Sequence, residues 1–242
     1  MPPPAPRSVP ALLQTLTAGD PTAPRLTFYG ERYAATGERV ELSARVLANW
    51  VAKTANLLEE EFDAAPGTRV ALDLPTHWRT LVWQLAVLST GAHALTGAHP
   101  DADVLVSADA AALGGEGPAD RVAVSLAPLA TSFGAELPGG VLDYARVVTG
   151  YGDVHAPVAE PAPGDGALDA LAHGSLLGEA AGAGAAWPVG VRLLTDVGPA
   201  EAVRGPLAAW CRGGSVVLTP DLAALPDAVP AQERVDARLP RG

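Results

Sequence analysis

Four residues occupy positions at which an α/β protein could contact a ligand. His77 and Asp196 each follow a segment with the pattern of a strand and precede one with the pattern of a helix, and parallel sheets bind ligands at such junctions. His173 and Ser175 belong to a His-Gly-Ser triplet that invites a hydrolase interpretation, but the Gly-x-Ser-x-Gly motif is absent there. Helix capping and turn formation explain the same residues. We therefore assign no catalytic residue and keep these four as candidate ligand contacts.

Two chemically reactive residue types occur only once. Lys53 is the only lysine and lies inside a long amphipathic segment. At such a position we expect a solvated or snorkelling cation instead of a catalytic amine. Cys211 is the only cysteine, which excludes an intramolecular disulfide. Because it follows Trp210 in a helical pattern, we expect it to be a small buried hydrophobe.

Neither a metal site nor a dinucleotide site is predicted. The pattern His99-x-Asp101-x-Asp103 offers alternating ligands after a proline-containing turn, but no fourth ligand is identifiable. The pair Gly182-x-Gly184 lacks the third glycine of the dinucleotide fingerprint. We expect no metal and no cofactor.

Net charge and composition argue against two classes of partner. A formal net charge of −11 and a pI near 4.8 disfavour nucleic acid, because phosphate backbones bind clustered cations. The same charge disfavours anionic membrane surfaces. No apolar run approaches the ~20 residues of a membrane span, and Met1–Thr17, in which Arg7 is the only cation, does not resemble a signal peptide. We expect a cytoplasmic protein with no nucleic-acid and no membrane partner.

Hydrophobic periodicity predicts strands that alternate with helices. The predicted helices are 8–16, 43–62, 77–90, 168–181 and 199–211, and the predicted strands are 26–29, 39–42, 69–74, 104–107, 122–126, 191–195 and 215–218. This alternation predicts the α/β class with a doubly wound, mostly parallel sheet.

The domain organisation follows from composition. We expect residues 1–7 to form a disordered tail, residues 8–220 a single α/β domain, and residues 221–242 a Pro-rich C-terminal tail. Within the domain, residues 152–166 are rich in Pro, Gly, Ala and acids, which indicates an internal loop or linker.

Several motifs resemble those of a known superfamily. Residues 66–75 read Pro-Gly-Thr-Arg-Val-Ala-Leu-Asp-Leu-Pro, similar to the Pro-Gly-Asp-Arg-Val strand that ends in Leu-Pro-Asn in AMP-dependent synthetases and ligases. Residues 9–13 resemble the opening of these adenylate-forming enzymes, which include acyl-CoA synthetases. Residues 206–209 and 213–218 resemble the helix and strand that follow their phosphate loop. The resemblance implies that this chain has the fold of the N-terminal subdomain of that superfamily. Within the superfamily, the chain resembles a group of short actinobacterial relatives.

The motifs that carry the superfamily's chemistry are absent. Where a Ser/Thr/Gly-rich loop ending in Pro-Lys-Gly should lie, residues 165–177 run Asp-Gly-Ala-Leu-Asp-Ala-Leu-Ala-His-Gly-Ser-Leu-Leu. That loop supplies backbone N–H groups, hydroxyls and a lysine to ATP phosphates. We predict a compact connection or helix entrance here, with Leu168, Leu171, Leu176 and Leu177 at helical spacing and closing the site.

Three functions remain open at this point. The first is a truncated, non-adenylating relative, a pseudoenzyme that acts as a binding or interaction protein. The second is an enzyme or subunit that binds acyl-CoA or a nucleotide and is completed by another chain. The third is an unrelated hydrolase-like chemistry. The small-molecule ligand and any protein partner are not identified by the sequence.

Overall fold

The computed structural model describes residues 6–31, 33, 37–115 and 120–242. Most of the predicted disordered tail lies outside the described residues. The described α-helices are α1 (Val9–Gly19), α2 (Ala44–Phe62), α3 (Trp78–Thr90), α4 (Ala110–Gly114), α5 (Tyr144–Val147), α6 (His173–Ala183), α7 (Ala208–Cys211) and α8 (Val229–Gln232). No helix among the described residues is long and apolar enough to cross a membrane.

Twelve strands form two sheets in the described parts of the chain. They are β1 (Pro24–Tyr29), β2 (Arg39–Ser43), β3 (Arg69–Asp73), β4 (His93–Thr96), β5 (Val104–Ser107), β6 (Asp120–Ala123), β7 (Val141–Asp143), β8 (Gly166–Leu168), β9 (Leu171–Ala172), β10 (Arg192–Thr195), β11 (Ser215–Leu218) and β12 (Ala237–Leu239). All pairings are parallel except β1 with β2 and β8 with β9. The predicted α/β class with mostly parallel strands is confirmed.

The chain divides into two compact units. The first contains the described parts of Met1–Ala48, Pro75–Leu81 and Gly174–Gly242, and the second contains Asn49–Leu74 and the described parts of Val82–His173. The first unit holds the five-stranded sheet in the order β12-β10-β11-β1-β2, and the second holds the seven-stranded sheet in the order β7-β6-β5-β3-β4-β8-β9. The proposed limits of one domain at residues 8 and 220 stay a prediction.

Local sequence signals set the ends of the helices. The Ser8 hydroxyl accepts a hydrogen bond from the Ala11 N–H at 3.4 Å, and the Ser43 hydroxyl accepts one from the Val46 N–H at 3.3 Å, so both act as N-caps. Gly91 ends α3 with φ of +79°, and a Cβ there would lie 3.0 Å from Pro66 and Pro161. Glycine is therefore required at this position for both conformation and space.

Two predicted helices differ from the structure. Residues 166–172 form the hairpin of β8 and β9, and the helix begins only at His173, because Leu168 pairs with Leu171 across the hairpin. The predicted helix 199–211 is a 3-10 turn (Pro199–Glu201), a π-helical turn (Val203–Leu207) and α7. Pro206 has no N–H to donate, and the Leu207 N–H reaches back five residues to the Ala202 carbonyl at 2.9 Å.

Each unit has its own apolar core on its sheet. In the second unit, Ala71, Leu95, Leu105 and Leu113 pack together with Phe133 and Val141. In the first unit, Tyr29, Leu194, Val217 and Val229 pack together with Leu222, Leu225 and Val235. The residues after 220 thus cover one face of the five-stranded sheet, and β12 adds a strand that the sequence did not predict.

Candidate functional site

The segment in which the resemblance led us to expect a phosphate loop, residues 165–177, contains a tight hairpin. Strands β8 and β9 are joined by a two-residue turn, Asp169-Ala170, and α6 begins directly after β9. Asp169 has a φ of +50°, a left-handed conformation that aspartate tolerates better than most residues. The compact connection that was predicted is confirmed, but it is a hairpin and not the start of a helix.

Strand β4 holds this turn through hydrogen bonds. The Asp169 carboxylate accepts from the Thr96 N–H at 2.8 Å and from the Thr96 hydroxyl at 2.9 Å. The Asp169 N–H donates to the Ala94 carbonyl at 2.9 Å, and the Asp169 carbonyl lies 2.7 Å from His93 Nε2. The turn therefore presents a carboxylate bound to its neighbouring strand.

Backbone donors on either side of the turn are also paired. The His173 N–H donates to the Asp165 carbonyl at 2.9 Å, and the Asp165 N–H donates to the Ala162 carbonyl at 3.0 Å. Gly166 lies against the His93 ring, where a Cβ would come within 2.6 Å of Nδ1. Leu168 and Leu176 are buried. The N–H groups of Asp165, Asp169 and His173 thus bond to the protein, whereas a phosphate loop needs several N–H groups directed at the ligand.

The two candidates beside the hairpin have ordinary surroundings. His173 is half-buried, its Nε2 lies 3.2 Å from the Ala92 carbonyl, and burial lowers the pKa of its imidazole. Ser175 is exposed in the first turn of α6. Neither lies in a nucleophile elbow, since α6 follows a hairpin and not a sharp turn after a long strand.

His77 is the most buried of the four candidates. Its side chain is 6% exposed, its ring packs edge-on against Phe28 at 4.5 Å, and Nδ1 accepts from the Arg79 N–H at 3.1 Å. Burial and the nearby Arg79 charge lower the pKa of His77 to about 3. His77 is therefore neutral at neutral pH, and its Nε2 has no partner among the described residues.

The space beside His77 is too small for a nucleotide or an acyl chain. Thr76, Thr80, Val197 and Pro199 line the same recess, whose volume is about 10 Å³. One water molecule needs a cavity of about that size. The recess at the junction that contains His77 is therefore closed to such ligands.

Asp196 fastens the C-terminal segment. Its carboxylate accepts from the Arg241 N–H at 2.7 Å and from the Leu222 N–H at 3.4 Å. The Arg241 guanidinium also donates to the Thr76 hydroxyl at 2.8 Å. These contacts give Asp196 a structural role in the first unit.

The only lysine holds a loop onto a helix. Lys53 Nζ donates to the Tyr151 carbonyl at 2.5 Å and to the Thr149 carbonyl at 3.3 Å, and it pairs with the Asp153 carboxylate at 2.9 Å. Asn56 on the same face of α2 donates to the carbonyls of Gly152 and Val154, each at 3.0 Å. Lys53 is therefore a partly exposed cation that holds residues 149–158 against α2. We call residues 149–158 the strap.

The remaining sequence candidates also have structural partners. Arg69 donates to Asp101 through its side chain at 3.0 Å and to the Asp103 carboxylate through its N–H at 2.7 Å. No group of three potential metal ligands is found among residues 6–31, 33, 37–115 and 120–242. Cys211 is half-buried, and burial raises the pKa of its thiol to about 11, which makes it an inert thiol at neutral pH.

Comparison with known proteins places the chain in a family. No family model matches it. A "TIGR03089 family protein" of Mycobacterium tuberculosis (strain ATCC 25618 / H37Rv) is 36% identical over an alignment of 242 positions, and the match covers 93% of this chain and 93% of that protein. The chain belongs to the TIGR03089 family.

Solved structures show which fold this TIGR03089 chain has. An acyl-CoA synthetase from Brucella canis is 18% identical with a TM-score of 0.73, and the match covers 96% of this chain and 47% of that one. The N-terminal domain of FACL13 from Mycobacterium tuberculosis is 14% identical with a TM-score of 0.69, over 96% of this chain and 62% of that one. The TIGR03089 chain thus has the fold of the N-terminal region of adenylate-forming enzymes, as its motifs predicted, and spans about half the length of the Brucella enzyme.

Sequence reasoning missed two polar clusters of this TIGR03089 protein. The first is Asp169 with Thr96 and His93, for which the sequence gives only a weak signal, because Asp-Ala is not a typical hairpin turn. The second joins Glu233 to Tyr29, Arg39 and Arg192. Its members are far apart in the chain, so nothing in local spacing could reveal it.

Proposed function

We propose that this chain is a non-adenylating relative of acyl-CoA synthetases that works as a binding or interaction protein. The observation that carries the proposal is the turn Asp169-Ala170, which lies in the segment where the sequence resemblance leads us to expect a phosphate loop. A phosphate loop binds anions with free N–H groups and a cation. Here the Asp169 N–H bonds to Ala94, and the side chain is a carboxylate.

The negative charge of the Asp169 side chain also argues against phosphate binding at this turn. Two unit charges 4 Å apart near a protein surface interact with about 4 kcal/mol at an effective dielectric constant of 20. A phosphate placed beside Asp169 would meet repulsion of that order. Lys53 cannot offset it, because its Nζ is engaged by two carbonyls and Asp153 on the strap.

A second candidate function rests on the fraction of a similar enzyme's length that this chain covers. The match covers 47% of the Brucella canis acyl-CoA synthetase, so a nucleotide or acyl-CoA site could require residues of another chain. In this alternative the TIGR03089 protein is one subunit of a two-chain enzyme that binds acyl-CoA or a nucleotide.

Isothermal titration of the purified chain with Mg-ATP, AMP and acetyl-CoA separates the two candidates. We expect no heat of binding from any of the three, while an acyl-CoA synthetase measured in parallel binds ATP. Saturable binding of ATP would contradict the non-adenylating proposal. Saturable binding of AMP or acetyl-CoA without ATP binding would favour the second candidate, a subunit of a two-chain enzyme.

A further inference from the structure

A buried carboxylate in the first unit is bound by three side chains from separate strands. We call Tyr29 on β1, Arg39 on β2 and Arg192 on β10 the carboxylate cradle, and its occupant is Glu233, just after α8. Glu233 is 8% exposed. None of these residues belongs to the hairpin or to the recess beside His77.

The cradle surrounds the carboxylate with donors. Glu233 Oε1 accepts from the Tyr29 hydroxyl at 2.5 Å and from Arg39 Nε at 2.9 Å. Glu233 Oε2 accepts from Arg192 Nη2. Two guanidinium groups and one hydroxyl thus bind a single carboxylate, and charge-assisted bonds of this kind are about twice as strong as neutral ones.

Arg192 is held in place by groups other than the Glu233 carboxylate. Its Nη1 donates to the Ser215 hydroxyl at 3.2 Å, its Nη2 donates to the Thr27 hydroxyl at 3.1 Å, and its Nε donates to the Glu233 main-chain carbonyl at 2.5 Å. These bonds remain when the Glu233 side chain is removed. The donors of the cradle should therefore stay close to their positions without their occupant.

Neighbouring acids limit the charge that the cradle accepts. Glu41 pairs with Arg39 Nη2 at 2.6 Å, and the Asp236 carboxylate accepts from the Arg192 N–H at 2.9 Å. With these two anions present, a second negative charge on the ligand would be repelled. The local charges therefore favour a monoanionic carboxylate over a dianionic phosphate.

We propose that the cradle is a carboxylate-binding site which the chain occupies with its own Glu233, and that a carboxylate of another molecule binds there when the Glu233 side chain is absent. In the wild-type protein the internal ligand has the advantage of being covalently attached. The segment that carries Glu233 thus binds to the five-stranded sheet through this carboxylate, as a ligand would. This inference does not depend on the proposed function.

Chemical rescue of Glu233→Ala tests the site. Removing the carboxylate leaves Arg192 without an anionic side-chain partner and Arg39 with Glu41 alone, so Tm should fall by several degrees in chloride. Acetate or formate at the same ionic strength should restore at least half of that loss, because a ligand that binds only the folded state stabilises it. The wild-type protein should show equal Tm in acetate and chloride.

Two matched variants define the controls. Glu41→Ala removes an exposed partner of the same Arg39. This variant should lose little in Tm, and acetate should not raise its Tm relative to chloride. Adding Arg192→Gln to Glu233→Ala should abolish rescue. Equal Tm of Glu233→Ala in acetate and chloride would overturn the proposal, and so would rescue that survives Arg192→Gln.

Phosphate and folding yield complete the design. Stronger rescue by phosphate than by acetate would contradict a site selective for carboxylates. If Glu233→Ala does not fold in chloride, refolding in acetate supports the cradle, and failure to refold in acetate as well contradicts it.

Discussion

At the scale of single residues, polar side chains in this protein mainly fasten one backbone segment to another. Asp169 binds the N–H and hydroxyl of Thr96, and Asp196 binds the N–H of Arg241. Lys53, the one amine side chain, binds two carbonyls of the strap. Groups that carry chemistry in an enzyme are here used to satisfy backbone donors and acceptors.

Substitutions of Asp169 should separate its charge from its conformation. Asp169→Ala loses both bonds to Thr96 and places alanine in a left-handed conformation, so we expect a loss of about 2–4 kcal/mol in the free energy of unfolding. Asp169→Asn keeps an acceptor and tolerates the same φ, and should lose about 1 kcal/mol or less. Urea unfolding of both variants measures this. Equal losses would show that the bonds to Thr96 do not hold the turn.

His77 should make stability depend on pH in weak acid. Its pKa is about 3 in the folded protein against an ordinary value of 6.5, so the unfolded chain takes up the proton first. The contribution of His77 is complete above pH 6.5 and is lost as the pH falls towards 3. Glu233 does not titrate in the upper part of this range, because burial, which raises its pKa, is outweighed by bonds from Arg39, Tyr29 and Arg192 that lower it to about 2.

The replacement His77→Asn tests this dependence. Asparagine keeps an acceptor for the Arg79 N–H but does not titrate. Between the ordinary pKa values of histidine and glutamate, 6.5 and 4.5, the free energy of unfolding should fall with pH more steeply in the wild-type protein than in the variant. Parallel slopes in urea titrations across that range would mean that His77 is not buried as described.

At the scale of elements, the C-terminal half of α2 is held by the strap. Glu59, Glu60 and Glu61 crowd the last turn of α2, where acids are unfavourable against the helix dipole. The Val158 N–H donates to Glu59 at 3.2 Å, and the Tyr151 hydroxyl donates to Glu61 at 2.6 Å. Tertiary contacts therefore stabilise this helix end.

Replacing Lys53 should loosen the strap without unfolding the protein. Lys53→Ala removes the donor shared by Thr149 and Tyr151 and leaves Asp153 unpaired, so amides of residues 151–158 should exchange hydrogen faster. The cost in global stability should be about 1–2 kcal/mol. Arg45→Ala, an exposed position on the same helix, is the control. Unchanged exchange in the strap of the Lys53 variant would contradict the role assigned to this lysine.

Long periodic elements were predictable from sequence, and short or irregular ones were not. The apolar spacing in 43–62 and 77–90 corresponds to α2 and α3 within one residue. Trp50 is only half-buried, and the buried face of α2 consists of smaller side chains such as Leu47, Val51, Leu57 and Leu58. Strands of two to four residues such as β4, β9 and β12 have too few side chains to establish a period of two.

At the scale of the whole molecule, the chain has the fold of the N-terminal region of acyl-CoA synthetases, and its sequence contains no Ser/Thr/Gly-rich segment ending in Pro-Lys-Gly. Motifs such as residues 66–75 were sufficient to predict the fold. These residues form strand β3 and the turn that precedes it, so the motif describes an element of the sheet. The candidate site could be predicted only in part. The absence of the phosphate-loop motif was visible in residues 165–177, but the bonds from Asp169 to Thr96 and from Glu233 to Arg192 depend on tertiary contacts that spacing does not encode.

Carboxylate-dependent exchange of pyrophosphate into ATP tests the central claim most directly. The purified chain is incubated with Mg-ATP, labelled pyrophosphate and a panel of short- and long-chain fatty acids, and an acyl-CoA synthetase serves as the positive control. Because the Asp169 N–H is bonded to the Ala94 carbonyl and the turn carries a carboxylate where a phosphate loop has a lysine, we predict no exchange above the protein-free background with any acid. Robust exchange by the isolated chain would contradict the account.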